Sequence, residues 1–115
     1  MIKFSDTLNM KRIESPKNGH GAMDKKELLN MDEMFGKGKT WSELFIHPQC
    51  AMGFHEHHGD NEVYFILEGQ GIYNDDGVEA VVNSGDVCVV KDGQGHSLEN
   101  TGEKDLHVMA LILNS

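Results

Sequence analysis

At 115 residues, with 38% apolar content, 13 glycines and two prolines, the chain is long enough to bury one core without disulfide staples and is cut into short elements by turns. Its formal net charge of −9 is uneven: residues 1–39 carry 8 basic and 6 acidic side chains, residues 40–115 carry 2 and 13. Such an acidic surface repels phosphate backbones, which argues against nucleic acid as a partner, and no apolar run approaches the roughly 20 residues of a bilayer-spanning helix.

Residues 1–20 read as an N-terminal arm of mixed charge and weak periodicity, ending in SPKNGHG. The opening MIKFSDTLNMKRIESPK has neither the apolar core nor the small-residue cleavage site of a signal peptide, so a cytoplasmic location is expected. Cys50 and Cys88, without CxxC spacing, would then stay reduced as small apolar fillers. AMDKKELLNMDEMF is ambiguous. Leu28, Leu29, Met31 and Met34 fit one face of a short helix, whereas residues 22–29 also fit an irregular edge strand.

From Thr40 onward the pattern is β. TWSELFIH, AMGFHEH, EVYFILEG, GIYND, VEAVVN, DVCVV, HSLEN and LHVMALIL are eight short runs rich in β-branched and aromatic residues. NDDG at 74–77 and NSGD at 83–86 mark turns between them, since Asn, Asp and Gly tolerate positive φ. The spacing predicts an all-β, antiparallel sandwich or barrel of about eight strands over residues 21–115.

HEHHGDNEVYFILEG, residues 55–69, carries the chemistry. Alternation on a strand puts His55 and His57 on one face and Phe54, Glu56 and His58 on the other, so two imidazoles can grip one ion. If the next strand returns as a hairpin, Glu62, in phase with Tyr64 and Ile66, comes back beside them. His96, after the turn KDGQG, is the fourth candidate. A lone HxH is commonly just a solvated polar turn, but that reading leaves Glu62 and His96 without a reason. Three imidazoles and one carboxylate suit one divalent transition metal (Mn, Fe, Co, Ni or Zn) with two octahedral positions open, and suit the oxygen-seeking Ca and Mg poorly.

These residues resemble the cupin superfamily. HxH-x4-E-x6-G is matched at His55, His57, Glu62 and Gly69, and G-x5-P-x-G-x2-H-x3-N at Gly85, Gly93, His96 and Asn100, with 15 residues between the motifs. The resemblance spans roughly residues 36–113. It implies a small jelly-roll-like barrel holding one divalent metal in its open end, often as a dimer. Two positions depart from the pattern. Lys91 replaces the proline of the second motif, which would put a cation at the barrel mouth, and Cys50 replaces the glycine five residues before HxH, with Gly53 nearby.

Other side chains carry weaker expectations. Tyr64 shares the face of Glu62 and is the candidate proton-handling, catalytic neighbour, the alternative being a packing role with its hydroxyl satisfied. His58 is expected at the surface, and His47 and His107 as structural imidazoles. Trp41 and Phe45 share a strand face that would wall the cavity or fill the core. Arg12 is the only arginine, and Lys91 and Lys104 are the only cations beyond residue 39, which weighs against phosphosugars and oxalate-type anions unless the metal itself holds them. The expected function is that of a metal-dependent enzyme, oxygenase-like or isomerase-like, on a small organic substrate. The alternative is a non-catalytic, metal-anchored binding or sensor module. Val63, Phe65 and Leu67 face away from Glu62 and need covering, either by the N-terminal arm of the same chain or by a second subunit; the arm is polar and short of large aliphatics, so a homodimer is expected.

Overall fold

A computed structural model describes residues 1–115. Ten strands form two antiparallel sheets: β1 Met10–Glu14, β2 Ala22–Leu29, β3 Gly38–Ile46, β4 Ala51–Glu56, β5 Asp60–Glu68, β6 Gln70–Asp75, β7 Val78–Asn83, β8 Val87–Val90, β9 Gly95–Asn100 and β10 Leu106–Asn114. One sheet runs β1-β2-β3-β10-β5-β8 and the other β4-β9-β6-β7. All eight runs read from the sequence are strands. Two more stand in front of them.

Residues 10–14, expected within the arm, pair with β2 from Met10↔Lys26 to Glu14↔Ala22. The ambiguous 22–35 segment resolves as strand β2 followed by a 3₁₀ turn, Met31–Met34. Asn30 ends the strand: its Oδ1 accepts from the Glu33 N–H at 3.0 Å while Glu33 Oε1 accepts from the Asn30 N–H at 3.0 Å, a reciprocal cap. β2 thereby keeps both its neighbours, β1 and β3, which a helix would forfeit.

The core lies between the sheets. Leu44, Ile46, Tyr64, Ile66, Val108 and Ala110 face Met52, Tyr73, Val82 and Leu98, and burying each large aliphatic contributes about 1.5–3 kcal/mol. Strict alternation on β3 turns Thr40, Ser42, Leu44 and Ile46 inward. Trp41 and Phe45 therefore lie on the outer face and do not wall the cavity: the opposite phase of the strand is the apolar-packed one because Leu44 and Ile46 meet the second sheet. The β6–β7 hairpin closes on two residues, Asp76 at φ 49° and Gly77 at φ 105°, as its NDDG sequence requires.

One turn is unusual. Around Pro16–Asn18, three non-glycine residues take left-handed backbone: Ser15 (φ 45°), Lys17 (φ 51°) and Asn18 (φ 59°). Each such residue costs roughly 1–2 kcal/mol, least for asparagine. The buried ring of Pro16 and close backbone packing on β4 hold the turn in place. A Cβ on Gly19 would lie 2.1 Å from the Ala51 carbonyl oxygen, and one on Gly53 would lie 2.3 Å from that of Lys17. Only two facing glycines let the backbones approach this closely.

Candidate metal centre

Four side chains, from β4, the residue that follows it, β5 and β9, meet at one end of the barrel. β4 and β5 do not form the hairpin that the sequence suggested. β4 pairs with β9, and β5 with β10 and β8, so Glu62 reaches the histidines across the gap between the sheets. On β4 the register slips between Met52↔Leu98 and His55↔His96, leaving one extra residue at Gly53–Phe54. This bulge lets Met52 point into the core and His55 also point inward, which simple alternation would forbid. His55 stands directly opposite His96.

The ligand atoms of His55, His57, Glu62 and His96 all lie within 4.8 Å of one another. His96 Nε2 is 3.1 Å from His55 Nε2 and 3.2 Å from His57 Nε2, and Glu62 Oε1 is 3.2 Å from the Nε2 atoms of both His57 and His96. Each imidazole is oriented from behind through Nδ1: His55 by the Gly53 carbonyl at 2.7 Å, His57 by Asp60 Oδ1 at 2.6 Å and His96 by the Tyr73 hydroxyl at 2.9 Å. With Nδ1–H donating, all three rings turn their Nε2 lone pairs to the same point, the arrangement that metal-binding histidines use. Asp60 is itself anchored by Lys39.

In the metal-free site the electrostatics favour an ionised Glu62 and a neutral His55, while His57 becomes more basic. Burial opposes ionisation of Glu62, but hydrogen bonds from His57 and His96 outweigh it and hold the carboxyl down at about 2. Desolvation, with the neighbouring His96, lowers the His55 pKa and favours its neutral form. The hydrogen bond that His57 donates to Glu62 raises the pKa of His57 against the opposing effect of burial, with Asp60 adding to the rise. Three imidazole nitrogens and an ionised carboxylate fit a divalent transition ion and leave coordination positions open.

His55, His57 and Glu62 border a cavity of about 130 Å³. Thr40 and Ser42, joined by a 2.7 Å hydroxyl hydrogen bond, line it with Met52 and Ile112. Tyr64 lines it too, but its hydroxyl donates to Met52 Sδ at 3.5 Å and its ring stacks on His96 at 5.0 Å. Lys17 and Lys25 stand at the cavity wall, whereas Lys91 is exposed and lies outside it. The mouth thus has two cations, supplied by residues before β3 and not by the departure from the second motif. His58 is at the surface near Glu56; His107 bonds Glu43 at 2.8 Å, and His47 lies between Asp24 and Asp105.

Sequence reasoning missed Asp60, Tyr73, Lys17 and Lys25. Asp60 follows His57 by three residues, a spacing that a tight turn can close; Lys25 shares the alternation of inward-facing Met23. Nothing local to Tyr73 or Lys17 signals their placement.

A double-sheeted barrel with three histidines and a glutamate at its open end defines a class, and the sequence matches the Cupin domain family over residues 42–112: the chain belongs to the cupins. It is 34% identical over 113 residues to an oxalate-binding protein of Thermotoga maritima, covering 98% of this chain and 93% of that one. The crystal structure of a predicted oxalate decarboxylase from Thermotoga maritima superposes with a TM-score of 0.95 at 33% identity, over the whole of both chains. An RmlC-like cupin from Shewanella frigidimarina shares the fold, with a TM-score of 0.76 at 16% identity over 98% of this chain and 89% of that one.

Proposed function

We propose that this chain is a metal-dependent cupin acting on a small organic acid of the oxalate class, which chelates the metal at its open positions. The observation that carries the reading is the convergence of four oriented donors on a small cavity that also bears two lysines. The name of the 34% identical relative supports the same ligand class. When bound, the metal supplies Lewis acidity and a redox-capable centre. The chain's own residues do the rest. His55, His57, Glu62 and His96 hold the ion. Thr40 and Ser42 offer hydroxyls to ligand oxygens, and Met52 and Ile112 keep the wall dry.

For the enzymatic reading, oxygenase-like or isomerase-like, Tyr64 is the proton-handling residue, since it is the phenol that lines the cavity beside Glu62. Its complete burial and its hydrogen bond to Met52 favour the second reading, a non-catalytic binding module that uses the metal as an anchor. Turnover of an organic acid that vanishes with chelator and returns with one metal establishes the enzyme. Chelator-sensitive binding of oxalate without turnover establishes the module, and no binding by the metal-loaded protein refutes both. We place the protein in the cytoplasm and as a homodimer, joined through the outer face where Phe65, Val87 and Val89 are exposed.

A further inference from the structure

The chain carries a net −9, and beyond Lys39 it has only two basic residues. Against that background two cations at one small cavity are out of place. Lys25 comes from β2, where it stands opposite Leu44, an inward-facing core residue, so its side chain leans toward the barrel interior. Lys17 comes from the left-handed turn, and its own φ is 51°.

Backbone held in an unfavourable conformation by its surroundings points to a task for the residue that bears it. Here the surroundings are explicit. Pro16 is buried; His20 and Ala51 exchange backbone hydrogen bonds at 2.9 and 2.8 Å; and Gly19 and Gly53 allow contact that no other residue pair permits. Gly53 is also the residue whose carbonyl orients His55. The turn that presents Lys17 is therefore seated on the same backbone that aims a metal ligand. Among the residues that line the cavity, Glu62 is the only carboxylate, and its charge is directed at the metal position. Inside the cavity no other carboxylate competes for the lysines; Glu27 stands beside Lys25 in the neighbouring groove with Asn9, Lys11 and Ile13.

We infer that Lys17 and Lys25 form a charge clamp that selects doubly charged chelating ligands over singly charged ones, an inference that rests on the proposed reading of the metal centre. A short dicarboxylate chelates with one oxygen from each carboxylate and leaves two oxygens turned away from the metal. The two ammonium groups receive that outward edge. A 2-hydroxy acid such as glycolate closes a ring of the same size on the metal but presents one carboxylate only, so it gains less from the clamp.

The experiment is calorimetric titration of Mn(II)-loaded protein with oxalate and with glycolate, on the wild type and on Lys17→Gln, Lys25→Gln, the double variant and Lys17→Arg. Glutamine removes the charge, keeps a polar side chain one atom shorter than lysine, and makes the same demand on the backbone at position 17. The metal content of each variant, measured in parallel, stays at the wild-type value because neither lysine is a ligand. The double variant is expected to lose about tenfold or more in oxalate affinity while glycolate changes by no more than about threefold, and Lys17→Arg retains the preference. Wild-type oxalate affinity in the double variant, or equal losses for both ligands, overturns the clamp and leaves the metal-centre reading standing. Wild-type protein that holds Mn(II) and binds neither ligand overturns that reading, and the clamp with it.

Discussion

Asp60 and Tyr73 decide which nitrogen His57 and His96 present to the metal position. Asp60→Asn should lower metal affinity by about 10- to 100-fold with the fold intact, as loss of such orienting partners generally does; competition against a fluorescent chelator measures it. His96→Ala should weaken binding far more than His58→Ala, since His96 is fully buried among the donors and His58 is at the surface. Equal effects in the same assay would overturn the ligand assignment. Acid acts on the imidazoles, not on Glu62: with its carboxyl held at about 2, Glu62 remains ionised while protons compete for the histidines, so affinity should fall steeply below about pH 6. In the metal-free protein Glu62 has its own signature. Its folded pKa lies below the ordinary 4.5, so its stabilising contribution is present above that pH and is lost as pH falls towards 2. Acid unfolding of Glu62→Gln should lack that step. The four candidate ligands were legible in the sequence because each sits at a fixed offset within a motif. Tyr73 was not, because its contact with His96 exists only once β9 lies beside β6.

At the scale of elements, the strands were legible wherever hydrophobicity alternated and a turn signal followed. The 22–35 segment was not, because its leucines and methionines satisfy both periods and tertiary pairing with β1 and β3 decides between them. The bulge in β4 was equally hidden: alternation alone places Met52 with Phe54, and only the slip against β9 shows otherwise. The packing of the Pro16–Asn18 turn on β4 is directly testable. Gly19→Ala would drive a methyl to 2.1 Å from the Ala51 oxygen and 2.5 Å from the Gly53 nitrogen, both backbone atoms that cannot swing aside. Denaturant unfolding should show a loss of about 2 kcal/mol or more, whereas Gly85→Ala, with open space around it and a strained φ of 93°, should lose less.

For the whole molecule, the acidic surface and the apolar outer face make opposite demands. Trp41, Phe65, Val87 and Val89 remain exposed on the six-stranded sheet; the N-terminal residues Met1, Lys3 and Leu8 lie beside Trp41, Leu28 and Leu29 at its far end and leave the β5–β8 end open. Light scattering across dilution should give twice the chain mass, and Phe65→Glu with Val89→Glu should give one chain mass; a single chain at every concentration in the wild type would remove the dimer. Removing the metal should lower the thermal midpoint. At a free metal concentration about 100 times the Kd, the ion contributes about 2.7 kcal/mol, which corresponds to a fall on the order of 10 °C when EDTA is added.

The left-handed turn has a consequence for the order of assembly. Ser15, Lys17 and Asn18 are held in their conformation by the buried Pro16 and by backbone of β4, which lies later in the chain, so the turn should become stable only once β4 is in place. The barrel is then expected to close before the mouth of the cavity is completed. The same hierarchy should persist in the native state, with the first two dozen residues opening as a cooperative unit while the strands behind them stay shut. Native-state hydrogen exchange should show the β1 amides and Ala51 exchanging through a low-energy opening, well before those of β3, β5 and β10.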